Sequence, residues 1–368
     1  LAGANLIRTL CGARFEGGKV RSTSCSFVPA SSYPDLPKEI VVDPKTAGSI
    51  SLIIQIALPC VLYLPKPVTL RIRGGTDVNF SPPMDYVSKV LLPALFGRNQ
   101  DRIKLNLKRR GFYPRGGGEI LLSTTPTSSP LNPIRMYRRG HVKSVRAFVV
   151  VWGSDDEERK ECAKSIEVTL KDLCSKNKNL DSLKRVQISF GVTRKTKKKR
   201  FPTCFTINIV AYTETGCVLA SNVTDEKANK DCSIEKRVEL SCQNLLKRFE
   251  VDVLRSGACC DEHLADQLLI FTALARGVSV IRYPSEMSSK HFSTAIDVLK
   301  KMMPSVCFEI LEISSMTASS LSRALHITDE HKQKNLISLH RDIIDSVDAD
   351  KSSRRDGSKL LICHGVGR

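Results

Sequence analysis

Several chemistries are excluded by what this chain of 368 residues does not contain. It has no GxxxxGKS/T phosphate loop and no glycine-patterned dinucleotide fingerprint. Its thirteen cysteines include no CxxC pair. An odd number without ligand spacing fits neither a zinc module nor a secreted disulfide scaffold, and the adjacent Cys259 and Cys260 are poorly placed to bridge each other. Free thiols in a reducing compartment are therefore expected. The longest apolar runs fall short of the ~20 residues that cross a bilayer, so no membrane partner is expected. No signal peptide is present, but the chain opens at Leu1 without methionine, and the expectation is that its natural start lies further upstream. Acidic residues are also few. There are 38 Asp and Glu against 57 Lys and Arg, a net charge of +19, and that surplus favours a polyanion such as nucleic acid.

The apolar pattern alternates between helical and extended periods. Helices are expected at 2–11, at 45–64 (stopped at Pro59) and at 84–97, where Pro93 kinks or ends the helix. Residues 24–29 read as extended and 68–75 as a strand, and 102–123 as two antiparallel strands around a glycine-rich turn. Residues 137–256 read as a small β-α-β-β-α unit, with strands at 142–152, 186–192 and 204–214 and helices at 155–174 and about 234–249. Residues 261–277 form a helix with polar residues crowded at its start. A strand at 278–282 follows, then a Ser-rich turn, and His291 opens the next helix. After a strand at 306–313, the polar stretch 314–358 reads as a largely exposed insertion with one helix near 330–346.

Three motifs invite a chemical reading. RIRGGTDVNFSPPMDY (71–86) runs from a strand through two glycines to a helix start, which suits either anion approach or a tight turn. RRGFYPRGGGE (109–119) combines arginines, aromatics and glycines, as an RNA contact or a plain hairpin would. RKTKKKR (194–200) is a solvated loop, a nuclear-import signal or an RNA contact. His141, His326, His331, His340 and His364 lack ligand spacing and carry no role.

In order along the chain, DPKTAGSI (43–50), LIIQIALPC (52–60), RGGTDVNFSPPMDY (73–86), RGFYPRGGGEI (110–120), LNPI (131–134), DEHLADQLLIFTALARG (261–277) and HFSTAI (291–296) resemble the motifs of the RNA 3'-terminal phosphate cyclase family. The resemblance implies an α/β fold of repeated βαβαββ units like the C-terminal domain of translation initiation factor three, its first repeat incomplete. It divides the chain into a catalytic domain (1–136 and 257–368) and a small inserted α/β domain (137–256). It also implies an enzyme that uses ATP and a divalent cation, Mg²⁺, to turn an RNA 3'-phosphate into a 2',3'-cyclic phosphodiester. The route passes through a covalent histidine–AMP and an RNA–pp–A end. His291 matches the nucleophile. Gln55, Pro82, His263, Asp266 and Gln267 complete the adenylate pocket, with His263 standing where the family usually has a tyrosine. Arg71, Arg73 and the arginines of 110–115 are weaker candidates for RNA phosphate contact, and a location in the nucleoplasm, with the cytoplasm as a second one, is expected.

The chain departs from the family pattern in lacking the opening EGGGQ-type segment, with the glutamate the family uses near its metal, and in carrying 314–358. The competing reading is a non-catalytic cyclase-like protein of ribosome assembly, which would lose the nucleotide-site residues. An RNA-binding module without catalysis and an enolpyruvyl transferase are further alternatives. The presence of Asp266, Gln267 and His291 favours the enzyme.

Overall fold

A computed structural model describes residues 1–97, 102–127, 129–176, 183–192, 201–226, 232–284, 290–326, 334–349 and 358–367. Helix α1 (Ala2–Cys11) ends at Gly12, whose φ of 59° lets the chain turn back and close on the last helical carbonyls. The hairpin of β1 (Arg14–Glu16) and β2 (Ser26–Val28) follows.

A complete βαβαββ unit comes next. Strand β3 (Glu39–Val42) leads to α2 (Ile50–Val61), capped by the Ser49 hydroxyl, and then to β4 (Val68–Gly74). The second helix of the unit is built from α3 (Met84–Tyr86), a π-helical turn (Val87–Leu91) and α4 (Leu92–Phe96). Strands β5 (Ile103–Arg109) and β6 (Gly118–Thr124) close it. The sheet order is β3-β4-β6-β5, parallel between β3 and β4 and antiparallel elsewhere.

The same plan recurs further on. After β7 (Arg135–Met136) the chain leaves for a second sheet. That sheet comprises β8 (Val142–Gly153), α5 (Asp156–Ser175), β9 (Leu183–Val192), β10 (Cys204–Thr213), β11 (Val218–Asp225) and α6 (Ile234–Arg248), the last continued by a π-helical stretch over Phe249–Arg255. The unit then resumes with α7 (Glu262–Leu274), β12 (Arg276–Tyr283), α8 (Lys290–Met302) and β13 (Cys307–Glu312). Helices α9 (Ala318–Ala324) and α10 (Lys334–Ala349) precede the last strand, β14 (Lys359–Val366). Its sheet, β7-β12-β14-β13, has one parallel pair and two antiparallel ones in the same places as the first unit. The expected repeated α/β architecture is thus present.

The two units share one core. Ile54, Leu58, Leu70 and Ile72 of the first pack in one cluster with Leu264, Leu268, Phe292 and Leu361 of the second. Each such side chain contributes about 1.5–3 kcal/mol by leaving water. The sheet β11-β10-β8-β9 has a separate core, closed by Ile166 and Leu170 of α5 and Leu245 and Phe249 from α6 and its extension. Among the described residues no helix is long and apolar enough to cross a membrane.

Several expectations are corrected. Pro59 does not stop α2, which runs on to Val61. Pro93 does not end its helix, since α4 continues to Phe96, and the expected alternative of a local irregularity is what the helix shows. The π-helical turn lies just before it, where proline has no N–H to return to residue 89. Strand β11 is additional to the expected elements, so the small unit carries four strands rather than three. In 314–358 the helix expected near 330–346 is present as α10, and the described residues add α9 and a buried apolar side to both. Leu321 and Leu325 from the α9 end and Leu339, Ile343 and Val347 of α10 are buried against Leu360 and Ile362 of β14. The polar composition hid a narrow apolar stripe at helical spacing. The run RKTKKKR and His331 lie outside the described residues.

Candidate active site

Helix α7 is held at its start by one buried carboxylate. Asp261, its N-cap, accepts from Leu264 N at 3.0 Å, from the Tyr86 hydroxyl at 2.6 Å and from Ala220 N at 2.8 Å. A single side chain therefore fixes the helix, the α3 segment and strand β11 against one another. Burial pushes the Asp261 carboxyl upward, opposed by the charge of His263 and by these hydrogen bonds.

This clamp places the polar face of α7 over a cavity of about 630 Å³. All six residues expected from the sequence line it: Gln55 from α2, Pro82 from the loop after β4, His263, Asp266 and Gln267 from α7, and His291 from α8. Gln55 and Gln267 occupy matching places in the two units, each six residues beyond its helix N-cap, Ser49 or Asp261. Volumes of this order hold nucleotide-sized ligands.

The decisive contact joins α7 to α8. His291 Nδ1 lies 2.7 Å from Asp266 Oδ2, with the imidazole 76% exposed and the carboxylate 19% exposed. Burial raises the Asp266 carboxyl above the usual aspartate range, and the adjacent His291 pulls it back. A carboxylate on Nδ1 fixes the ring orientation and leaves Nε2 with the available lone pair. His263 meets the Tyr86 ring edge-on, 5.9 Å between centroids at 82°, and its Nε2 stands 3.6 Å from Glu262 Oε1.

The arginines expected at RNA phosphates are already engaged. Arg71 donates to Glu39 at 2.8 and 3.0 Å and to Glu119 at 2.8 Å. Arg73 donates to Glu119 at 3.0 Å. Arg110 is sunk between Asp77 and Asp85, where burial opposes its charge and the two carboxylates sustain it. Arg115 lies 5.0 Å from the Phe201 ring centre. Nor do the motif glycines line the cavity. A Cβ on Gly74 would come within 2.3 Å of the Gly48 carbonyl, and one on Gly111 within 2.1 Å of Gly118 N, so both serve backbone packing. Phe112 stacks on Trp152 at 4.1 Å and is not free for a base.

Comparison with known proteins settles what kind of molecule carries this cavity. The family model described as RNA 3'-terminal phosphate cyclase matches residues 1–310. The chain belongs to that family. A relative from Dictyostelium discoideum, named probable RNA 3'-terminal phosphate cyclase, is 32% identical over 320 residues, covering 86% of this chain and 69% of its own. RNA 3'-terminal phosphate cyclases of Drosophila melanogaster (31% identical, 82% and 77% covered) and Hyperthermus butylicus (30%, 85% and 81%) are similar over comparable spans.

In this cyclase-family chain the cavity also holds residues that sequence reasoning missed. Phe80 lies on the rim, fully exposed, with a φ of 60° that an L side chain seldom adopts. Asn222 offers a buried Nδ2 with no hydrogen-bond partner among the described residues. Arg248, donating to the Asn222 carbonyl at 2.8 Å, brings a cation to the same wall. Only Phe80 left a trace in the sequence, as an aromatic in a glycine- and proline-rich turn. The other two reach the cavity from the β11-containing sheet and its helix, which no local pattern links to α7. Among the described lining residues Glu262 and Asp266 carry carboxylates, oxygen donors of the kind a hard cation takes.

Proposed function

We propose that this protein is an ATP-dependent RNA 3'-terminal phosphate cyclase that works through covalent adenylylation of His291. The 2.7 Å contact between His291 Nδ1 and Asp266 carries the reading, because it leaves Nε2 available as a nucleophile at a nucleotide-sized cavity. Nε2 attacks the α-phosphorus of ATP, the bond to the bridging oxygen breaks, and pyrophosphate leaves. The RNA 3'-phosphate then attacks the histidine-bound phosphorus, freeing the imidazole and giving RNA–pp–A. The ribose 2'-hydroxyl attacks the terminal phosphorus, loses its proton, and AMP departs as the cyclic diester closes. This last step is intramolecular, so orientation supplies much of its rate.

Within this reading Gln55 and Gln267 hydrogen-bond the base or sugar from opposite units. Pro82 supplies an apolar wall, and His263 replaces a stacking tyrosine. Asn222 Nδ2 is a donor awaiting an acceptor on the nucleotide. Glu262 and Asp266 would hold a divalent cation, whose charge would neutralise the triphosphate. Arg248 is placed to meet a phosphate.

Incubating the chain with ATP labelled at the α-phosphate and Mg²⁺ tests the reading. Acid-labile label should appear on the protein and be lost entirely in His291→Ala. Label that survives the substitution would remove His291 from the role. Because His291 is exposed, the variant should melt within about 0.5 kcal/mol of the parent.

A further inference from the structure

Away from the cavity, a different set of side chains converges on one face of the sheet β7-β12-β14-β13. β13 is its edge strand, and Cys307 and Glu309, two residues apart, project from the same side. Their cross-strand partners on β14 are His364 and Ile362. Ile362 and Leu311 lie in the cluster under α9 and α10, so this is the covered face and Cys307 stands at its open end. His326, two residues beyond α9, arrives at the same place. Its φ of 54° turns the chain sharply, and its ring stacks on His364 at 4.0 Å and 11°. His364 is itself fixed, with Nε2 2.8 Å from the Ala324 carbonyl.

The result is a thiol, a carboxylate and an imidazole whose ligand atoms all lie within 4.8 Å of one another. Two come from the edge strand and the third from the turn after α9. Zinc bond lengths of about 2.0–2.3 Å imply ligand separations of about 3.4–3.8 Å in a tetrahedron. Side-chain rotation alone can close that gap, because Glu309 and His326 are exposed and Cys307 is half-buried. Sulfur, nitrogen and oxygen in one set select a borderline ion over a hard one, and three protein ligands leave a fourth position for water.

We propose that Cys307, Glu309 and His326 bind a divalent transition metal of zinc type, which pins the α9–α10 layer to the edge of the sheet. None of the three lines the nucleotide cavity, so the site is separate from the Mg²⁺ chemistry of the proposed reaction. Their sequence spacing, two residues and then seventeen, matches no zinc motif. Only the fold brings them together, and His326 thereby gains a role that spacing denied it. On binding, the metal replaces the thiol proton of Cys307, which passes to solvent.

Cobalt is the probe. The full chain, treated with chelator under reducing conditions, is titrated with Co²⁺ and followed by absorption. One equivalent should develop a thiolate-to-cobalt charge-transfer band with the visible bands of a four-coordinate ion, and Zn²⁺ should displace both. Cys307→Ser should abolish the charge-transfer band, whereas Cys25→Ser, at an exposed cysteine elsewhere, should retain it. His326→Ala should keep the band but bind about tenfold or more weakly. Zn²⁺ should raise the melting temperature of the parent and not of Cys307→Ser. A parent without the band, a Cys307→Ser that keeps it, or a His326→Ala with parental affinity would each overturn the assignment.

Discussion

A histidine whose Nδ1 hydrogen is committed to a carboxylate presents its lone pair on Nε2, and Asp266 makes that commitment for His291. The carboxylate must stay ionised to do so. Burial raises its pKa, so as pH falls Asp266 is protonated earlier than an ordinary aspartate would be. Self-adenylylation should therefore decline on the acid side, where the orienting charge is lost. Asp266→Asn should lower the rate about 10²- to 10⁴-fold, and pre-steady-state label transfer against pH measures both the decline and the loss. Asp266 and His291 were legible in the sequence because they stand in ordered motifs. Phe80, Asn222 and Arg248 were not, because their place on the cavity wall depends on how the loop after β4 and the β11-containing sheet dock against α7.

Individual elements show what local pattern can and cannot reveal. The boundaries of α1 follow from its apolar spacing and Gly12, both local signals. The hairpin β5–β6 was legible for the same reason. Pro59 misled, since a proline breaks a helix only where the missing bond has no substitute and tertiary packing holds α2 in place, whereas Pro93 does coincide with an irregular turn. The helix α10 was legible, but its packing with α9 over β14 was hidden because the apolar residues that cover the strand are dispersed through a long polar stretch. At this scale the Asp261 cap is the feature most open to test. Asp261→Ala removes the α7 cap and leaves Tyr86 Oη and Ala220 N without their acceptor. Chemical denaturation should show a loss of about 2–4 kcal/mol, summing a cap and buried unpaired groups. Asp261→Asn, which can still accept, should lose less.

Across the whole molecule the positive surplus is the widest-ranging property, with +19 spread over 368 residues. Several motif arginines are consumed by internal carboxylates, so polyanion attraction must rest on other cations. The run Arg194–Arg200 is the densest of these in the sequence. Replacing its lysines and arginines with glutamine should weaken single-stranded RNA binding and flatten its salt dependence. The slope should fall by about 0.7 for every RNA phosphate that the run no longer neutralises. Label transfer to His291 should be unchanged, and binding isotherms at several salt concentrations beside the adenylylation assay separate the two. If the run instead serves nuclear import, the same variant will bind RNA normally and accumulate outside the nucleus.

The two βαβαββ units also differ at one telling place. Counting from the helix caps, Gln55 and Gln267 correspond, and the position before each holds Ile54 in one unit and Asp266 in the other. Ile54 is wholly buried in the shared core, whereas Asp266 faces the cavity and holds His291. One unit therefore spends this position on packing, while the other places there a carboxylate that reaches across to a neighbouring helix. Two units built on one plan thus carry an apolar and an ionisable side chain at the same address, and of the two it is the ionisable one that opens onto the cavity.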